Sequence, residues 1–347
     1  MSTNNTKKHS SPGNLRYLKA EGITPKDDTF HGCRNIIDIE WWYFDAVFDN
    51  DYSIHIGFRV YHIKNIGLLQ TRINLYYKGK SISEVITRDV FKKDIIDTKF
   101  PSIKLSGKPV VSFDRIQYKN SNKFRYIIDL KVKHIHADLI FEGTTTGWKI
   151  ETPSTCWTVP LPKANVSGTI HFKDKTILVQ GIGYHDHNWG YSPTTVIQNI
   201  GWYWGRITSD KLNVTWANTI ESKEKQDFLA VINRDSLSGN QPEYINVNPR
   251  NLCFQPGDIQ KNHGKRIPTS FLLQFDQPAE KNNPTIAADL SMKTIDIQYS
   301  RIFIIHYWRY HIETSGFIQF ENNREDLYNR PQIIEFLSFK NPSTPKR

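Results

Sequence analysis

The chain has 347 residues, with 45 Lys and Arg against 35 Asp and Glu and a formal net charge of +10, a length that accommodates two domains of ordinary size. The basic excess is spread along the chain without a run of five, which argues against a nucleic-acid binder and suits an anionic substrate or a membrane surface equally. Cys33, Cys156 and Cys253 lie far apart, which excludes a Cys-rich zinc site and argues against a disulfide framework.

In chain order, Met1–Gly13 is polar and basic and reads as a disordered tail without an apolar signal core. Tyr52–Ile63, "YSIHIGFRVYHI", alternates apolar and polar positions, the period of a half-buried strand. Lys123–Gly143, Gly168–Gly181 and Thr294–Ile318 do the same. Turn signals stand between such runs at Asp49-Asn50-Asp51, Lys78-Gly79-Lys80, Lys173-Asp174-Lys175 and Ser209-Asp210-Lys211. Helical periodicity is weak, and its best candidate is the short stretch Asn323–Asn329. Asn341–Arg347 reads as a second tail, and no stretch approaches the roughly 20 apolar residues of a membrane span. The expectation is an all-β protein of barrels or sandwiches, cytoplasmic or peripheral to a membrane.

One internal echo bears on organisation. Trp42-Tyr43-Phe44 falls on Trp202-Tyr203-Trp204 when the turns after them, Asp49-Asn50-Asp51 and Ser209-Asp210-Lys211, are superposed. Each copy is an aromatic strand, a polar turn and an alternating return strand. The repeat predicts two related β domains, 14–195 and 196–340, with the boundary near Ser192–Asn199.

The stretch Gly183–Pro193, "GYHDHNWGYSP", carries most of the recognisable chemistry. In an extended strand His185 and His187 share one face, roughly 6–7 Å apart, which suits two ligands of one metal. A third ligand would have to come from His134, His136, His306 or His311, and nothing in the spacing requires it. No metal and no cofactor is therefore assigned. The same histidines could also simply cap loops. With no Gly-x-Ser-x-Gly elbow and no phosphate loop, acid–base work in an apolar pocket is the reading left. His187 and Asp186 are the expected proton-handling pair, with Glu40 as a second acid whose burial beside aromatic residues would keep it protonated. Trp189, Trp41, Trp42, Tyr43, Tyr184, His185, Trp202, Trp204 and Trp216 are the expected walls. Flat π faces stabilise a carbocation without attacking it, which is what protonation of an unactivated alkene needs.

"EWWYFDA" at Glu40–Ala46, "GIGYHDHNWG" at Gly181–Gly190 and "WYWGRI" at Trp202–Ile207 together resemble the carotenoid 1,2-hydratase (hydroxyneurosporene synthase) family, which also includes AttH-like proteins. The resemblance spans roughly Asn14–Lys340. It implies two tandem lipocalin-like domains and a large pocket at or between them for polyenes or other hydrophobic molecules. It also implies cofactor-independent hydration or cyclisation of a C=C bond in an isoprenoid or polyene. Relatives in the family include prenyl cyclases and decalin-forming Diels–Alderases, so pericyclic chemistry on a polyketide and non-catalytic lipid binding are the alternatives. The resemblance implies that His187 and Trp189 matter for activity. The family's Tyr-x-Asp on the second return strand is here Val214-Thr215-Trp216, so a different acid, Asp186 or Glu40, is expected to serve.

Overall fold

The computed structural model of the chain describes residues 18–64, 66–92, 95–153, 155–222, 226–235, 243–280, 284–302 and 305–339. The two expected tails, Met1–Gly13 and Asn341–Arg347, lie outside them. The fold is all-β, built from curled antiparallel sheets.

The main path of the first sheet runs Lys80–Lys92, Ile66–Tyr77, Tyr52–Ile63, Asp38–Phe48, Lys175–Tyr191, Cys156–Phe172, Ile135–Gly143, Arg125–Val132, Lys108–Phe113 and Ser102–Leu105. The second runs Tyr244–Asn246, Gln226–Arg234, Leu212–Ile220, Gly201–Thr208, Asn323–Ser338, Ile305–Phe320, Ile286–Ile302, Ser270–Gln277 and Leu252–Gly257. The two paths share one logic. The aromatic strand of each, Asp38–Phe48 or Gly201–Thr208, pairs on one side with the return strand of its hairpin and on the other with the last strand of its sheet. The two copies of the echoed motif therefore occupy equivalent places.

The turn signals act through backbone conformation. Lys78 and Gly79 both have positive φ, 51° and 76°, as a two-residue hairpin loop demands. Asp51 and Lys173 turn their hairpins with φ of 67° and 54°. The helix expected at Asn323–Asn329 is not there: these residues begin the strand Asn323–Ser338 and pair back onto Phe320 and Gln319. Glu321, at φ 55°, turns the chain into that ladder. The chain instead pairs Asn323 to Leu327 with Phe320 to Gly316, so the backbone groups of this stretch find partners in the ladder rather than in a helix. The short helices that do form are Arg115–Ser121, capped by Asp114, and Pro193–Gln198, capped by Ser192 and joining the two sheets.

Each sheet wraps its own apolar core, the first including Phe44, Phe58 and Phe141, the second including Trp216, Trp308 and Tyr310. A third apolar cluster, with Tyr43, Trp148, Tyr184, Trp204 and Ile333, lies where the sheets meet. Charge crosses the same junction: Asp45 of the first sheet holds Arg206 and Arg309 of the second, and Arg309 also holds Glu335 at 2.6 Å. All four side chains are buried, so their charges persist only because they are paired. Among the described residues no helix is long and apolar enough to cross a membrane.

Candidate functional site

Period-two geometry sorts the residues of the strand Lys175–Tyr191 onto two faces. Tyr184, Asp186 and Asn188 point toward the second sheet, while His185, His187 and Trp189 point into the first. The neighbouring strand Asp38–Phe48 divides the same way, with Tyr43 and Asp45 facing the second sheet and Glu40, Trp42 and Phe44 facing the first.

Between the sheets lies a cavity of about 710 Å³. Trp41, Tyr43, Trp157, Trp202 and Trp204 give it aromatic walls, and Asp186, Tyr307 and Glu335 are among the polar groups that reach it. Asp186 is buried and takes hydrogen bonds from Trp157 Nε1 at 2.9 Å, the Tyr184 hydroxyl at 2.8 Å and Asn188 Nδ2 at 3.0 Å. Burial drives its carboxyl up, the Glu335 and Asp45 charges add to that, and these outweigh the Trp157 and Tyr184 hydrogen bonds, leaving it at about 7. Opposite Asp186 on the neighbouring strand, Tyr43 donates to Asp45 at 2.6 Å and lies 3.0 Å from Glu335, while Tyr307 donates to Glu335 at 2.6 Å. Burial pushes the Tyr43 hydroxyl well above its ordinary range, so it remains a donor.

The opposite face holds a second polar cluster, closed off from the cavity. His187 Nε2 lies 2.9 Å from Glu40 Oε1, and its Nδ1 lies 3.4 Å from Asp28 Oδ1. His185 Nε2 lies 3.1 Å from Asp28 Oδ2, which also takes the Tyr126 hydroxyl at 2.5 Å. The His187 ring stacks on Trp42 at 4.2 Å and the His185 ring on Phe44 at 3.7 Å. Burial pushes the His187 imidazole down, but the hydrogen bonds and charges of Asp28 and Glu40 outweigh it and carry it up to about 9. Glu40 corrects the sequence expectation. Burial does push its carboxyl up, but hydrogen bonds and charges from His187 and His31 overcome that and hold it below its ordinary value. A buried carboxyl beside imidazoles is an ion-pair partner, not a stored acid.

The expected proton-handling group is thus divided. Asp186 meets the cavity, whereas His185, His187 and Glu40 do not. Trp41, Trp42, Tyr43, Trp202 and Trp204 border the cavity, and Tyr184 supports Asp186 from behind. Trp189 instead stacks on His31 at 4.1 Å, under the Arg34 guanidinium. Trp216 lies in the second core against Gly205, where a Cβ would come within 2.7 Å of its ring. The cavity face of the strand bearing Trp216 is supplied by Ala217 and Thr219, and Asp227, paired with Thr219 in the next strand, lines the cavity as well. The other candidate ligands are elsewhere: His136 is bound to exposed Asp129, His134 lies beside Ser83, His306 beside Tyr299, and His311 beside Ser53. Sequence reasoning missed Trp157, Tyr307, Glu335, Asp28 and His31. Alternation in Cys156–Phe172 could have flagged Trp157, while Asp28 sits on the short turn Pro25–Asp28, which carries no periodic signal.

No known family profile matches the chain. It is 22% identical over 276 residues to the quinolone epoxide rearrangement protein asqO of Emericella nidulans, covering 70% of each chain. It is 30% identical over 205 residues to hydroxyneurosporene dehydrogenase of Chlorobaculum tepidum, covering 56% of this chain and 47% of that protein, about half its length. Its fold superposes on an AttH-like protein of Nitrosomonas europaea with a TM-score of 0.57 at 15% identity, covering 95% of this chain and 98% of that one. CghA solved with Sch210972 superposes with a TM-score of 0.57 at 10% identity, covering 89% and 90%. The fold is AttH-like, in agreement with the resemblance carried by Glu40–Ala46 and Gly181–Gly190.

Proposed function

We propose that the cavity between the sheets binds a hydrophobic natural product and that Asp186 acts on it as a general acid, without a redox cofactor. The observation that carries this reading is a buried carboxyl facing a cavity walled by Trp41, Trp157, Trp202 and Trp204. The volume lies within the range of small-molecule sites, and the lining sets Arg59, Arg72, Asp186, Asp227 and Glu335 among the aromatic walls, which suits an apolar frame that carries polar groups. The catalysed step is hydration, cyclisation or a related isomerisation. Asp186 delivers a proton to a C=C bond or a strained oxygen, the indole faces stabilise the cation, water or an internal π bond traps it, and the proton then lost from the trapped cation returns to the Asp186 carboxylate. The names of two sequence relatives, a quinolone epoxide rearrangement protein and a hydroxyneurosporene dehydrogenase, support action on hydrophobic natural products.

The experiment begins with mass spectrometry of small molecules extracted from the protein purified from its native host. The compound found, or its unreacted precursor, is then incubated with wild type and with Asp186→Asn. A loss of turnover of about 10²- to 10⁴-fold with ligand still bound is expected. Equal turnover by the two proteins removes Asp186 from the mechanism. A ligand recovered unchanged from wild type after long incubation makes the protein a carrier.

A further inference from the structure

We propose that His31, Glu40 and His187 bind a divalent first-row transition ion on the face of the first sheet away from the cavity, with His62 beside them facing the second Glu40 oxygen. Glu40, His62 and His187 come from three adjacent strands, Asp38–Phe48, Tyr52–Ile63 and Lys175–Tyr191, and His31 from the segment that precedes them. Ligand atoms of His31, Glu40 and His187 all lie within 4.8 Å of one another. His62 Nε2 lies 4.0 Å from the other Glu40 oxygen, Oε2.

The arrangement lacks something that a cation supplies. His62 Nδ1 lies 2.9 Å from the Lys64 carbonyl, which can only accept, so that nitrogen donates and Nε2 is the one left for a ligand. Nε2 faces Glu40 Oε2. Among the described residues neither atom has a hydrogen-bond partner, and neither does His31 Nδ1, 3.5 Å from Glu40 Oε1. Buried polar atoms without partners are costly, and an ion between them makes them ligands. The surroundings fit as well. Asp28 lies behind His187 Nδ1 and a carbonyl behind His62 Nδ1, the outer partners that orient metal-bound imidazoles. Imidazole nitrogens with one carboxylate suit Zn2+ and its first-row neighbours, at about 2.0–2.2 Å per ligand, and the ion releases to solvent the proton that His187 Nε2 otherwise holds against Glu40.

The site is closed. The His62, His187 and Glu40 side chains are 0%, 0% and 1% exposed, and only His31, at 20%, meets solvent. A closed site on the face away from the cavity serves structure, pinning the segment that carries His31 and Arg34 to the sheet.

The test uses the full chain, stripped with a chelator, dialysed and titrated with Zn2+ and with Co2+. Bound metal per chain, the thermal midpoint and the visible absorption of Co2+ are read. One equivalent is expected, with a raised midpoint and a four-coordinate Co2+ spectrum. His31→Ala, at a half-buried position, weakens binding by about tenfold or more and folds without metal. His136→Ala, a surface histidine elsewhere on the sheet, leaves binding unchanged. Absence of saturable binding of both ions to wild type overturns the proposal. So does stoichiometric binding that survives both His31→Ala and Glu40→Gln.

Discussion

The two faces of the strand Lys175–Tyr191 bury carboxyls equally well and treat them in opposite ways. On the cavity face Asp186 meets neutral donors and lies near other carboxylates, and its carboxyl rises to about 7. On the core face Glu40 and Asp28 meet imidazoles, and both fall below their ordinary values despite complete burial. Burial alone therefore predicts nothing about a carboxyl's role; the sign of its neighbours decides. One face offers a proton to whatever enters the cavity, and the other holds positive charge fast.

The comparison breaks most readily on the core face. Asp28→Asn removes a buried charge shared by His185 and His187, and such a loss costs about 3–5 kcal/mol. Urea unfolding at neutral pH measures it. Asp186→Asn, on the other face, replaces a group that already tolerates its proton and is expected to cost about 1 kcal/mol or less. Equal losses from the two substitutions would show that the faces do not differ electrostatically.

Acidity sharpens the contrast. Asp186 holds its proton in the folded chain up to about 7, whereas the unfolded carboxyl releases it near 3.8. The folded state then binds more protons across that window, so its stability contribution is present below about 4 and is lost as pH rises toward 7. Glu40 and Asp28 have depressed values, so their contribution is present above the ordinary carboxylate range and is lost as pH falls below it. Comparing unfolding free energies of wild type and Asp186→Asn from pH 4 to 8 isolates the first trend, since the variant lacks it. Parallel curves for the two proteins would contradict the assignment.

Much of the fold was legible, because alternation and turn chemistry are local: Tyr52–Ile63 is a strand with the bounds its alternation suggests, and Lys78-Gly79 turns where it should. The site was legible only in part. The motif Gly183–Pro193 was found, but its residues were read as one group because they are contiguous, although alternate positions of a strand face opposite ways. Asp28, Trp157 and Glu335 come from distant segments, and their roles depend on pairings such as Trp157 with Asn188 and Trp204 with Glu335 that no local pattern reveals. Glu40 was misjudged for a related reason: its burial could be inferred from the aromatic run, but not the imidazoles of His31 and His187 that meet it.

A single hydrogen bond tests the cavity face most finely. Trp157 donates its indole N–H to Asp186 Oδ2 at 2.9 Å, a bond that favours the ionised carboxyl and opposes burial. Trp157→Phe keeps a smaller aromatic wall and deletes that donor, the lost hydrogen bond alone being worth about 0.5–1.5 kcal/mol of stability. Without it the carboxyl is held still higher. If Asp186 donates the proton, turnover falls as pH rises through about 7 in wild type, and the variant's fall is displaced to higher pH. The measurement is the pH dependence of kcat/KM for both proteins on the identified substrate. A displacement to lower pH would mean that the indole favours the protonated acid. No displacement would mean that the group titrating in catalysis is not Asp186, and the proton would then have to come from another group bordering the cavity, with Tyr43 and Glu335 the first to examine.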